Sequence, residues 1–233
     1  MILEVAAAGA AGLGILSLGI FHPRVPLFGP VTWKGRGDKP LVALTFDDGP
    51  HPEFTPRVAR ALEAVGGKGT FFCIGAQAEK YPAEVKALVA GGHQVGNHTW
   101  SHNTTKHLFV PGLLIEDVQR CQGLLTELCG GAPKHYRPAV GIRNPRVHAA
   151  AQAVGLPVVT WGKSPRDGRI PFTEAKARAL GESLKPGDIV MLHDGVYLSR
   201  ADVREETVKH LPLLLQVMKD RGLTAATLDE VLG

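Results

Sequence analysis

Residues 45–50 read Thr-Phe-Asp-Asp-Gly-Pro. The residues just before them, Pro40 to Leu44, form an apolar run suited to a buried strand, so Asp47 and Asp48 stand side by side at the mouth of a core strand. Two adjacent carboxylates in such a place repel each other and lose hydration, and something positive must compensate. Residues 97–102, Asn-His-Thr-Trp-Ser-His, suggest what it is. His98 and His102 lie at i and i+4, and on a helix or helical turn they share one face, the spacing that two ligands of one metal ion need. With one carboxylate they form a His₂Asp set that leaves a coordination position open. Asp48 then binds the ion and Asp47 stays beside it as a base. Such an ion lowers the pKa of a bound water from about 15.7 to roughly 7. Taken singly, a lone HxxxH often marks a solvated helical face, and an Asp-Asp pair often marks a strand-end turn. Together the two motifs explain each other.

These groups need a frame. Short apolar runs at Leu41–Phe46, Thr70–Ile74, Gln94–Gly96, His135–Arg137, Val158–Trp161, Ile189–Leu192 and Thr224–Ala226 read as strands. Helical patterns fall near 55–65, 82–91, 112–129, 145–154, 173–184, 204–220 and 227–232, with turn residues between them. Strand-then-helix repetition predicts an α/β fold with a parallel sheet, either a nearly closed barrel or a doubly wound open sheet. In both, function collects at the C-terminal ends of the strands. Asp47 and Asp48, His98, Arg137, Trp161 with Asp167, and His193 with Asp194 all fall at or just after such ends.

Composition bounds the rest. A chain of 233 residues, 44% hydrophobic and 21% charged, suits one globular domain with an appendage. A net charge of +4 with no basic block argues against nucleic acid as a partner. Three cysteines without a CxxC give no disulfide framework. Residues 5–21 carry no charge and are roughly long enough to span a bilayer, so residues 1–23 are expected to be a membrane anchor or signal segment. Residues 24–39 read as a linker and residues 40–233 as the catalytic domain. Arg24, Lys34 and Arg36 follow the apolar segment, a placement that conflicts with an extracytoplasmic domain under the positive-inside rule.

The motifs "TFDDGP", "HTWSH", "YRPAVG", "WGKSPRDG" and "IVMLHDG" resemble, in order and spacing, those of the polysaccharide deacetylase family, carbohydrate esterase family four, over about Leu41 to Leu228. The resemblance implies a distorted (β/α)₇ barrel, here preceded by an N-terminal apolar helix. It implies hydrolysis of acetyl groups on glycans with one divalent metal ion, zinc first and cobalt, nickel or manganese as alternatives. Asp48, His98 and His102 match the metal ligands, Asp47 the general base, and His193 the general acid. Asp167 matches the partner of that acid and Arg137 the partner of that base. Val140 takes the place of the backbone oxyanion donor, and Trp161 is the candidate sugar-binding wall. The expected partner is an N-acetylated glycan of the peptidoglycan or chitin type, and the expected location is the cell envelope, with the chain held to the membrane through residues 5–21.

Four positions depart from the family pattern. Ala139 and Val140 stand where Pro and an aromatic residue are usual, Ser164 where Asp is usual, and Gly168 where Trp is usual. The acid, base and metal set is intact, so the resemblance implies an active catalyst with a more open groove. Two rivals accompany this reading. One is an amidohydrolase acting on a small non-sugar amide. The other is a non-catalytic relative that binds glycan or metal.

Overall fold

The computed structural model describes residues 14–105, 110, 112–196 and 201–233. Helix α1 covers residues 14–21. It is followed by β1 (Leu41–Asp47), α2 (Phe54–Glu63), β2 (Thr70–Cys73), α3 (Gly75–Lys80), α4 (Pro82–Ala90) and β3 (Gln94–Asn97). Then come α5 (Leu113–Cys129), α6 (Pro145–Ala153), α7 (Glu174–Ser183), β4 (Ile189–His193), α8 (Ala201–Asp220), β5 (Thr224–Ala226) and α9 (Leu228–Leu232).

All strand pairings are parallel, in the order β3-β2-β1-β4, with β5 also on β1. Beyond β3 the wall continues as single bridges, Asn97 to Tyr136 and Tyr136 to Val158. A further bridge, Lys163 to Val190, returns it to β4 and closes the ring. The result is the expected α/β barrel, distorted because two of its seven staves, at 135–137 and 158–161, are too short and irregular to form regular strands.

The alternation along β1 explains how one strand serves both core and site. Successive side chains point to opposite faces. Val42, Leu44 and Phe46 point outward into the main core with Val58 and Leu62 of α2 and Leu211 and Leu215 of α8. Ala43, Thr45 and Asp47 occupy the other face, toward the barrel interior. Small residues suit a narrow barrel interior, and Phe72 of β2, Val159 and Ile189 fill the space around Ala43. Phe46 stacks on Phe71 with centroids 5.0 Å apart, so the strand carrying the acidic pair is anchored by aromatic packing on its back.

Residues 24–39, expected to be a linker, run along the barrel. Thr32 bridges Val159 and Lys34 bridges Asp188. Residues 5–13 of the expected anchor lie outside the described residues. Among the described residues no helix is long and apolar enough to cross a membrane. The three cysteines are free, with Cys73 and Cys121 buried.

Phe46 is fully buried between the sheet and its helices. Phe46→Ala is expected to destabilise the domain by about 3–5 kcal/mol, read as a lower urea midpoint with an unchanged m-value.

Candidate active site

The register of the sheet assembles the site. Asp47 and His193 are direct neighbours across β1 and β4, and Asp47 also pairs with Phe72 of β2. Asp48 is the first residue beyond β1, with a left-handed φ of 73°. That conformation is uncommon for a residue other than Gly, but Asp and Asn are among the side chains that adopt it, and it ends the line of the strand at Asp48. Asp48 Oδ1 lies 3.5 Å from His98 Nε2 and 3.3 Å from His102 Nε2.

Asp48, His98 and His102 are all buried, and their ligand atoms lie within 4.8 Å of one another. The donor chemistry fits a divalent cation. His98 shares a 2.8 Å hydrogen bond through Nδ1 with the Arg137 carbonyl. A carbonyl only accepts, so the proton is on Nδ1, and in the neutral ring Nε2 presents a lone pair toward Asp48. Two acceptors converging in a buried space need a positive charge between them. Burial alone would raise the Asp48 pKa; without a cation, a His98 ring that carries a second proton on Nε2, together with the fields of His193 and His102, holds it well below the ordinary carboxylate range.

The two histidines are not on a helix. They sit in an irregular loop in which Thr99 and His102 both have left-handed φ, 69° and 52°. Their i, i+4 spacing therefore converges for a different reason from helical periodicity. The loop is tied from several sides. Asp117 of α5 accepts from the N–H groups of Trp100 and Ser101 at 2.9 and 3.0 Å. Asn97 accepts from Thr99 N–H at 2.9 Å, and Thr99 Oγ1 accepts from His102 N–H at 3.0 Å.

Two ion pairs flank the cluster. Arg137 donates through Nη1 to Asp47 Oδ1 and Thr45 Oγ1, both at 2.7 Å, and through Nη2 to the Thr160 carbonyl at 2.9 Å. Its guanidinium lies 4.1 Å from the Phe72 ring centroid. Asp47 is thus fixed in one orientation. On the other side His193 Nδ1 meets Asp167 Oδ1 at 3.0 Å, and Asp167 Oδ2 accepts from the His193 N–H at 3.0 Å. Burial opposes the His193 imidazolium, but Asp167 outweighs it, Asp48 and Asp47 add to the effect, and the pKa rises to about 9. Asp167 is itself held below its ordinary pKa despite burial, by His193 and Arg204.

Arg204 was not foreseen. It is fully buried on α8 and donates to Asp167 Oδ2 and to the His193 carbonyl at 2.8 Å each. Thr55 and Thr207 were also unforeseen. Thr55 donates to Asp194, which burial drives up to about 7, and Thr207 reaches Asp167 Oδ2 at 3.2 Å. No local sequence signal marks these residues.

Val140 lies in a one-turn 3₁₀ element, Ala139–Gly141, with φ 49°, an outlier for a β-branched residue. Its side chain is exposed and its backbone lies on the rim. Trp161 is half-buried beneath Gly141, where any Cβ would strike the indole. A Cβ on Gly168 would come within 2.8 Å of His193 Cε1, so the His193 ring occupies the space that a larger residue would need.

A family model described as Polysaccharide deacetylase matches residues 34–159. The chain is 32% identical over 209 residues to a peptidoglycan-N-acetylglucosamine deacetylase of Bacillus cereus, covering 88% of this chain and 93% of that protein. It is 33% identical over 196 residues to a chitooligosaccharide deacetylase of Sinorhizobium fredii, covering 82% and 91%. The crystal structure of the Bc1960 peptidoglycan N-acetylglucosamine deacetylase superposes with a TM-score of 0.75 at 29% identity, over 86% of this chain and 92% of that one.

Because the His193 pKa is raised, its proton is present below about pH 9 and lost above it. Its contribution to stability is likewise full below the unfolded value near 6.5 and fades as pH rises through about 9. Asp167→Asn removes the main cause, so the alkaline limb of the pH–rate profile should move down by about one unit or more. An unmoved limb would show that another group sets it.

Proposed function

The chain belongs to the polysaccharide deacetylase family, and on that premise we propose that it removes N-acetyl groups from an amino-sugar polymer or oligomer of the peptidoglycan or chitin type, releasing acetate. The observation that carries this reading is the buried Asp48, His98 and His102 cluster, flanked by an Asp47–Arg137 pair and a His193–Asp167 pair. Asp48 and the two histidines hold the divalent cation, zinc first among the candidates. When bound, the cation supplies Lewis-acid polarisation of the acetamide and brings the pKa of water to roughly 7.

The chain's own residues do the rest. Asp47, oriented by Arg137, takes the proton from the attacking water. His193 has its Nδ1 engaged by Asp167, so Nε2 is the atom that delivers a proton to the departing sugar nitrogen. An acid and a base held in opposite protonation states at one pH are what amide hydrolysis requires. The Val140 N–H donates to the oxyanion as the carbonyl carbon becomes tetrahedral. Trp161, half-buried beside Arg137, forms one wall for the sugar. In this reading the catalytic domain works in the cell envelope, with residues 5–21 as its membrane attachment.

The test is acetate release from chito-oligosaccharides and peptidoglycan by protein stripped of metal and reloaded with zinc or cobalt. Activity should return with metal. Asp47→Asn should lower kcat by roughly 10²–10⁴-fold while the metal still binds at one ion per chain. Glycan binding without any metal-dependent acetate release would favour a non-catalytic relative.

A further inference from the structure

Exposed large hydrophobic side chains are distributed unevenly over the described residues. Ile15, Leu16, Leu18 and Phe21 are 47–65% exposed on α1, and Val140 and Ile170 are each 44% exposed on rim loops of the catalytic face. Hydrogen bonds tie α1 and the residues after it to the loop of Val140 and to the segment that leads into the loop of Ile170. The Arg143 N–H donates to the Ile20 carbonyl at 3.1 Å, and its buried guanidinium donates to the carbonyls of His22 and Val25. Thr160, whose carbonyl accepts from Arg137, donates through its hydroxyl to the Pro23 carbonyl at 2.6 Å. Arg24 donates to the Gly162 carbonyl, just before the loop that carries Ile170. Helix α1 is thereby fastened to the edge of the reaction centre.

The charge of this sector is one-sided. Residues 14–37, 139–146 and 163–171 contain one acidic side chain, Asp167, and it is fully buried. Arg24, Arg166 and Arg169 are exposed there. After β1 and β2, by contrast, Glu53 and Glu79 are exposed, more than half of each side chain being accessible. Exposed Asp38 and Glu174 lie just outside these ranges, Glu174 paired with Arg178 at 3.0 Å, and an apolar surface with exposed cations in excess matches the interfacial region of an anionic bilayer, where apolar side chains enter the acyl boundary and Lys/Arg meet headgroups.

We infer that the sector formed by α1, the 139–146 loop and the 163–171 loop seats on an anionic membrane surface, so that the reaction centre opens at the membrane–water interface. This goes beyond attachment through residues 5–21. A tether alone lets the domain hang free at any angle, whereas this seat fixes which face meets the lipid. Resting on the deacetylase reading, the consequence is that the amino sugars it reaches are those held at the bilayer surface. Each basic side chain near such a surface contributes about fivefold in affinity, and salt screens the effect.

The experiment uses the full chain with Cys129→Ser, since Cys73 and Cys121 are buried. A fluorophore is attached through Ile170→Cys in one protein and through Val65→Cys, beyond the C-terminus of α2, in another. Vesicles of phosphatidylglycerol with brominated acyl chains, and matching phosphatidylcholine vesicles, serve as quenchers. The expected result is strong quenching at position 170 on phosphatidylglycerol, little on phosphatidylcholine, and none at position 65. Adding Arg166→Glu and Arg169→Glu should weaken it at least about tenfold. Absence of quenching at position 170, whether or not the chain binds the vesicles, overturns the proposal, as does equal quenching at both positions. The readout needs no turnover, so its failure leaves the deacetylase reading intact, and loss of acetate release in a seated chain leaves the seating intact.

Discussion

The rest of the structure answers to the cost of placing acids where water is scarce. Asp47, Asp48, Asp167 and Asp194 are all buried at the C-terminal mouth of the barrel. Uncompensated carboxylates there would take up protons or unfold the mouth. Each meets a different answer. Asp47 has Arg137, Asp167 has Arg204 and His193, and Asp48 has the two imidazoles that complete a cation site. Asp194 has the Thr55 hydroxyl as a side-chain donor, with the Arg204 charge adding to it, yet burial outweighs both and its pKa rises. The same burial therefore leaves Asp48 and Asp167 charged and pushes Asp194 toward neutrality, depending on the partner supplied.

Three arginines, Arg137, Arg143 and Arg204, are the largest side chains that are wholly buried. Each joins segments distant in sequence. Arg137 ties Asp47 to the 158–161 stave, Arg204 ties α8 to Asp167 and His193, and Arg143 ties the segment after α1 to the 139–146 loop. The planar guanidinium offers five donors in a fixed fork, so one residue can satisfy a carboxylate and several carbonyls together. Removing one would strand its partners in a low-dielectric interior, which is why such pairs act as positioning devices more than as net stabilisers.

Much of this was legible in the sequence, and the remainder was not, for physical reasons. The apolar runs that became β1, β2, β3, β4 and β5 show themselves through burial on both faces. The staves at 135–137 and 158–161 have the same apolar character but pair only at Tyr136, Val158 and Val159, since pairing length depends on neighbours rather than on composition. Helix α3 begins two residues after β2 and spans six, too short for any periodicity to register. His98 and His102 were recognisable as ligands from residue type and company, yet their spacing suggested a helix, and a loop held by Asp117 and Asn97 brings them together instead. Arg204 looks like any basic residue of an amphipathic helix. Its partner Asp167 lies 37 positions earlier, and only the folded chain shows that they meet.

The departures at Val140 and Gly168 fall on the rim, with Ala139 buried just beneath, and the groups proposed for chemistry are held from below. Arg137, Asp117, Arg204 and the register of β1 against β4 lie below the surface that a glycan would touch. The backbone proposed as oxyanion donor, at Val140, sits beside Gly141, under which the Trp161 ring packs. Gly168 leaves room for His193 where a Cβ would crowd it. The rim can therefore trade aromatic walls for small and apolar residues without moving the acid, the base or the ligands. With fewer aromatic faces for stacking, the approach of the proposed glycan would depend more on the proposed seat built by α1 and the two loops beside it.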